Sequence, residues 1–71
     1  MKFHYYVETD SLYIDLLEHP SVESQEIKPG IVLDFDADGN LVGIDIDRAS
    51  QVVSLSKVEI ESFPVKTAAV A

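Results

Sequence analysis

Apolar and polar residues alternate with a period of two along much of the chain, most clearly from Ile31 to Asp36 and from Leu41 to Asp47. Successive side chains of a strand point to opposite faces, so this alternation is typical of strands with one buried face. Between the two segments, Asp38-Gly39 favours a tight type I′ turn, because both residues tolerate a positive φ. The resulting inward pairs are all apolar: Phe35 with Val42, Leu33 with Ile44, and Ile31 with Ile46.

The same alternation predicts a second hairpin, with strands from Phe3 to Val7 and from Leu12 to Leu16. With Thr9-Asp10 at its tip, every inward pair is apolar and the outward pairs are aromatic or polar. The inward pairs are Val7 with Leu12, Tyr5 with Ile14 and Phe3 with Leu16, and the outward pairs are Tyr6 with Tyr13 and His4 with Asp15. A wider loop with an even number of residues would shift the partners and keep the faces.

The segment from Ser24 to Lys28 is predicted to be a short strand at an edge of the sheet, because it is polar and is ended by Pro29-Gly30. Proline followed by glycine is the order that a type II turn prefers. Asp47 is predicted to cap a helical turn from Arg48 to Gln51.

A second helix is predicted further on, where Ser56-Lys57-Val58-Glu59 fits a capping box and Leu55 and Ile60 fit a hydrophobic staple. This helix must end near Phe63, because Pro64 follows. The predicted fold is α+β and mainly β: a small, twisted antiparallel sheet of two hairpins plus a short strand, with one or two short C-terminal helical segments. We expect a single domain over residues 1–65 and a disordered tail over residues 66–71.

Length and charge limit what such a domain can do. A chain of 71 residues buries only a small core, and without cysteine it has neither disulfides nor a cysteine-based zinc site. Self-association as a homodimer or larger oligomer is therefore expected. The net charge of −8 argues against direct binding to nucleic acid or to an anionic membrane, since both require a basic face. The charge suits a basic protein partner, although acidity also serves plain solubility.

A cytoplasmic location is expected for this chain. The first residues lack the apolar stretch of a signal peptide, and no apolar run has the length of a membrane span. The absence of cysteine is consistent with the same location.

The run from Asp34 to Gly39 matches the start of a calcium-binding loop, with acids at its first, third and fifth positions and glycine at its sixth. The candidate ligands are Asp34, Asp36, Asp38 and Asp45. However, both flanks alternate like strands, whereas an EF-hand loop lies between helices. We therefore interpret the aspartate-rich run as a solvated hairpin turn and predict no metal site. Calcium binding is kept as an alternative.

No catalytic constellation survives inspection, and no cofactor is predicted. His4 and Asp15 are opposite each other in the expected hairpin, but an exposed cross-strand ion pair explains them better than a general base. No glycine-rich phosphate loop is present either. The candidate interface residues are Tyr6, Tyr13 and Leu17, which lie on the predicted outward face. Tyrosine often anchors contacts between proteins, although it also favours strands without any partner.

Three blocks of the chain resemble the family catalogued as domain of unknown function 2283. They are Tyr5 to Ile14, Glu26 to Gly39, and Val42 to Ser50. The chain departs from the family pattern at Val7, where proline is frequent, and in a longer extension after Ser50. The resemblance implies a small sheet-based domain without an established activity. It also implies a link to toxin systems, because some members resemble antitoxin partners.

The sequence therefore predicts a non-enzymatic protein-binding module, with an antitoxin-like partnership to a small basic toxin as the specific hypothesis. Two alternatives stay open. One is a small-ligand or calcium-binding domain built on the aspartate-rich loop, and the other is a purely structural homo-oligomer.

Overall fold

The computed structural model describes residues 1–64, which form one five-stranded antiparallel sheet and a single helical turn. The elements are β1 (Lys2–Tyr6), β2 (Ser11–Asp15), β3 (Glu23–Lys28), β4 (Ile31–Phe35), β5 (Leu41–Ile46) and α1 (Ala49–Val52). The strand order is β1-β2-β5-β4-β3, so β5 is central and β1 and β3 are the two edges. The predicted fold class is confirmed. The predicted tail, residues 66–71, lies outside the described residues.

The register of the first hairpin differs from the prediction by two residues. Phe3 pairs with Ile14, and Tyr5 pairs with Leu12. The reason is the loop, which has four residues rather than a two-residue tip and contains a weak bond from the Asp10 N–H to the Val7 carbonyl (3.4 Å). A shift of two residues keeps every side chain on its predicted face, because strand periodicity is two.

The second hairpin confirms two of the three predicted pairs, Ile31 with Ile46 and Leu33 with Ile44. The third is wrong, because Phe35 pairs with Leu41 after a β-bulge. Of the two tip residues, only Gly39 has a positive φ (83°), so the turn is not type I′. Instead the Gly39 N–H donates to the Asp36 carbonyl (3.1 Å), and the extra residue of this wider turn is absorbed by the bulge.

The third strand is at an edge of the sheet, as predicted. Among the five described strands it pairs only with β4, and it contains a bulge between Glu26 and Lys28. Between β3 and β4, Gly30 has a φ of 88°, the value that the third residue of a type II turn requires.

The helical turn expected after Asp47 is present as α1, one residue later than predicted. Arg48 precedes it in the left-handed conformation (φ 49°), and the Arg48 side chain makes no capping hydrogen bond to the helix. The predicted helix from Ser56 to Phe63 is wrong, because that segment has no regular secondary structure. Its alternation of Val58 and Ile60 with charged residues favours extended chain, and β-branched side chains lower helix propensity. Within residues 1–64, no helix has the length and apolarity to cross a membrane.

The core lies on one face of the sheet and is small. This apolar face carries the mutually paired side chains of Leu12, Ile14, Ile44 and Ile46. Ala49, Val53 and Leu55 pack onto it from beyond β5. Among the described residues, four apolar side chains are buried: Leu12, Val42, Ile46 and Ala49. The opposite face carries Tyr13, Asp15, Asp34 and Asp45 and is called the acidic face below.

Candidate functional site

Tyr13 lies across the central strand on the acidic face. Its ring covers Gly43, where a Cβ atom would overlap the tyrosine hydroxyl and ring. This passage over β5 lets the Tyr13 hydroxyl donate to Asp34 Oδ2 on the next strand (2.9 Å). Ser24 of β3 donates to the other oxygen, Asp34 Oδ1 (2.6 Å). A single carboxylate therefore connects β2, β3 and β4 across the sheet.

The electrostatics of this face are dominated by carboxylates. Burial raises the pKa of Tyr13 to about 12, and the hydrogen bond to Asp34 and the charges of Asp34, Asp15 and Asp45 act in the same direction. The pKa of Asp45 is also raised, first by burial and then by the charges of Asp47 and Asp34. The acidic face is therefore a region of negative potential that favours basic groups.

The four aspartates of the calcium-like loop are not grouped at one point, as the contacts of Asp36 and Asp34 illustrate. Asp36 is buried and accepts bonds from His19 Nδ1 (2.8 Å), the Asp38 N–H (3.0 Å), the Asn40 N–H (2.8 Å) and Asn40 Nδ2 (3.1 Å). The His19 bond, followed by the Asn40 N–H, lowers the pKa of Asp36 below its usual range. Asp34 instead bonds Tyr13 and Ser24 on the acidic face. Within residues 1–64, no three His, Cys, Asp or Glu side chains lie together as metal ligands would.

Of the three candidate interface residues, Tyr6 and Tyr13 are not the direct cross-strand partners that the sequence predicted. Tyr6 pairs with Ser11 rather than with Tyr13, and its ring stacks on His4 (4.3 Å between ring centroids). Tyr13 is held down by Asp34. Leu17 follows β2 and is exposed. Tyr6 and Leu17 are thus available for contacts, whereas Tyr13 has an internal structural role.

The expected ion pair between His4 and Asp15 is also wrong. In the observed register, Asp15 pairs with Lys2, and His4 pairs with Tyr13. Within the described part of the chain, Lys57 forms an ion pair with Glu59 and His19 contacts Asp36. The two-residue shift of the first hairpin explains the change.

Asp10 organises a polar cluster that sequence reasoning missed. Its carboxylate accepts bonds from the Tyr5 hydroxyl (2.7 Å), the Ser50 hydroxyl (2.7 Å) and the Ser50 N–H (3.1 Å). Its carbonyl accepts the Ala49 N–H (2.8 Å). Asp10, not Asp47, therefore caps α1 from forty residues away in sequence. The bonds from Ser50 and then Tyr5 lower the pKa of Asp10. No local sequence signal indicates a cap supplied from so far away.

An apolar groove of about 720 Å³ lies beside the core, because the chain after α1 covers the apolar face incompletely. Its sheet side is formed by Met1, Phe3, Leu12, Ile14 and Ile46, and its other side by the segment from Val53 to Phe63. Leu55 and Ile60, the predicted staple, both line this groove. The period-two pattern around Val58 was a sequence signal for extended chain at this place. The helix prediction gave more weight to the capping motif at Ser56.

In the part of the chain that the structure describes, each edge strand of the sheet directs some of its backbone groups away from the neighbouring strand. The Leu16 N–H donates to the Val42 carbonyl (2.8 Å), which continues the pairing of β2 with β5. Because backbone groups alternate in direction along an antiparallel strand, the even-numbered residues of β2 bond β5 and the odd-numbered ones bond β1. It follows that Phe3 and Tyr5 point their N–H and C=O groups away from the sheet. On β3, the same alternation directs the backbone N–H and C=O groups of Ser24 and Glu26 away from the sheet.

Comparison with known proteins adds one finding to this geometry. No curated protein and no solved structure matches the chain. A family model matches residues 2–50, a range that covers all five strands and the start of α1. The chain therefore belongs to the family described as Protein of unknown function (DUF2283).

Proposed function

We propose that this protein is a non-enzymatic protein-binding module whose partner is a small basic protein, in the manner of an antitoxin and its toxin. The observation that carries the proposal is the β3 edge. All six residues from Glu23 to Lys28 are exposed. Ser24 and Glu26 direct their backbone groups outward, where another strand can pair with them.

Charge favours a basic occupant for this edge. Glu23 and Glu26 lie on β3 itself, and Asp34 lies beside Ser24 on the next strand. Main-chain pairing would supply affinity, while the acids and the net charge of −8 would speed encounter with a cationic surface. Screening by salt should then slow association more than it speeds dissociation.

Co-expression with the product of the adjacent open reading frame tests the proposal. We expect that product to inhibit growth when expressed alone, to be tolerated with this protein, and to co-purify with it. A harmless neighbour, or a failure to co-purify, would refute the antitoxin-like function.

A charge-matched pair of variants tests the edge. Glu23→Lys with Glu26→Lys changes the net charge from −8 by four units, and Glu8→Lys with Glu18→Lys makes the same change at exposed sites away from β3. Surface plasmon resonance with the co-purified partner should show a lower association rate for both, and a distinctly larger loss for the β3 variant. Equal losses would place the contact elsewhere.

A further inference from the structure

We infer that β1 is the edge through which two copies of this chain associate, by antiparallel pairing of β1 with β1 of a partner subunit around a two-fold axis at His4. This edge is opposite the one proposed to bind a basic protein, so the inference goes beyond that function. The two surfaces are compatible in one assembly.

In the sheet formed by residues 1–64, β1 is an unprotected edge. All five residues are exposed, and Phe3 and Tyr5 direct their backbone groups outward. Natural edge strands are usually blunted by proline, bulges or charge. On β3 the bulge after Glu26 and the following Pro29 limit pairing to the part of the strand that includes Ser24 and Glu26. In contrast, β1 contains neither a bulge nor a proline, and its one lysine, Lys2, is at its first position.

Charge selects a second copy as the occupant of β1. The chain has 13 acidic residues, yet the segment Lys2–Tyr6 contains none and includes Lys2 and His4. Two molecules of charge −8 repel each other least where β1, the edge strand without an acidic residue of its own, meets a second β1. A basic partner would instead favour the Glu23 and Glu26 edge.

The geometry fixes the register. Centring the axis on His4 lets every residue of β1 pair, with Lys2 opposite Tyr6 of the partner subunit and Phe3 opposite Tyr5 of the partner subunit. Phe3 and Tyr5, whose groups point outward, then form the hydrogen-bonded pairs. His4 meets His4 of the partner subunit in the pair without hydrogen bonds, where the side chains are closest.

The apolar groove supports this choice of edge. Phe3 is more than half exposed, and it lines the groove together with Met1. Pairing at β1 places Phe3 beside Tyr5 of the partner subunit and extends the apolar face across the seam. Aromatic cross-strand pairs of this kind stabilise sheets.

Disulfide trapping tests the register, because the chain has no cysteine of its own. In the pair without hydrogen bonds the two Cα atoms lie about 4.5 Å apart, within the range that a disulfide bridges. His4→Cys should therefore form a covalent dimer in a glutathione buffer at micromolar protein. Ser24→Cys, on the other edge, should stay monomeric under the same conditions.

Backbone methylation tests the pairing without changing a side chain. A synthetic chain with N-methylated Tyr5 loses an outward N–H, and sedimentation equilibrium should give the 7.9 kDa monomer where the unmodified chain gives twice that mass. N-methylation of Ser24 should leave the dimer intact. A monomeric unmodified chain at every concentration, a dimer insensitive to Tyr5 methylation, or equal trapping of the two cysteine variants would overturn the inference.

Discussion

Tyr13 and Gly43 depend on each other. The tyrosine reaches Asp34 only because residue 43 lacks a side chain, and the bare backbone of Gly43 is covered only because the tyrosine lies over it. The sequence predicts the face on which Tyr13 lies, but not this passage across β5. A glycine inside a strand often marks such a close approach, and that signal in the sequence was available.

Gly43→Ala should lower the free energy of unfolding by about 1–3 kcal/mol, because the added methyl group overlaps the Tyr13 ring and forces it off Asp34. Urea unfolding measures the loss. Adding Tyr13→Ala removes the overlap, so the double variant should lose less than the sum of the two single changes.

The titration of Tyr13 gives an independent readout of the same contact. Its pKa in the folded protein is raised to about 12, above the ordinary value of 10.0. Its contribution to stability is therefore complete below pH 10.0 and is lost as the pH rises towards 12. Absorbance titration should show a late tyrosinate step that Gly43→Ala moves to lower pH. An unchanged late step, with unchanged urea unfolding, would contradict the contact.

At the scale of elements, local patterns predict strands and faces better than they predict ends and partners. The turn signal at Gly39 and the alternation of β4 and β5 give the correct central pairs. The four-residue loop before Ser11 has no sequence signature, so the first register is two residues off. The capping box at Ser56 fails because a single helix of that length is marginal without packing, and its alternating side chains favour extended chain.

The first hairpin holds α1 in place through Asp10. Asp10→Ala should lower the melting temperature by several degrees, because it removes the hydrogen bonds from the Tyr5 hydroxyl and from the N–H and hydroxyl groups of Ser50 in α1. Asp47→Ala is the matched control, since within residues 1–64 the Asp47 side chain accepts only one long hydrogen bond, from the Ser11 hydroxyl (3.4 Å). Thermal unfolding followed by circular dichroism gives the melting temperatures of both variants. Equal effects of the two changes would show that the cap is unimportant.

The whole molecule combines a small core with a large negative charge, and this combination limits its stability. The raised pKa of Asp45 shows where burial and neighbouring carboxylates make the charged form unfavourable. Repulsion of this kind weakens as salt screens it. The stability of this domain therefore depends on solution conditions more than that of a domain with a larger core would.

Asp45→Asn should raise the free energy of unfolding by roughly 0.5 kcal/mol near neutral pH, after allowance for solvent screening. A folded pKa above the unfolded value means that ionised Asp45 destabilises the fold, so the gain should vanish in acid, where both states are protonated. Urea unfolding at neutral and acidic pH measures both. Asp38→Asn makes the same charge change at an exposed turn residue and should give little gain.

The strand order also has a consequence for how the chain is made. A ribosome releases β1 with β2, and then β3 with β4, as separate hairpins, and both must wait for β5 before they can join. The hydrogen bonds between Asp10 and Ser50 form later still, because Ser50 follows β5 in the sequence. During synthesis, the nascent chain therefore has no completed apolar face until residues 41–46 have emerged. Folding is then a late event that depends on the arrival of one strand.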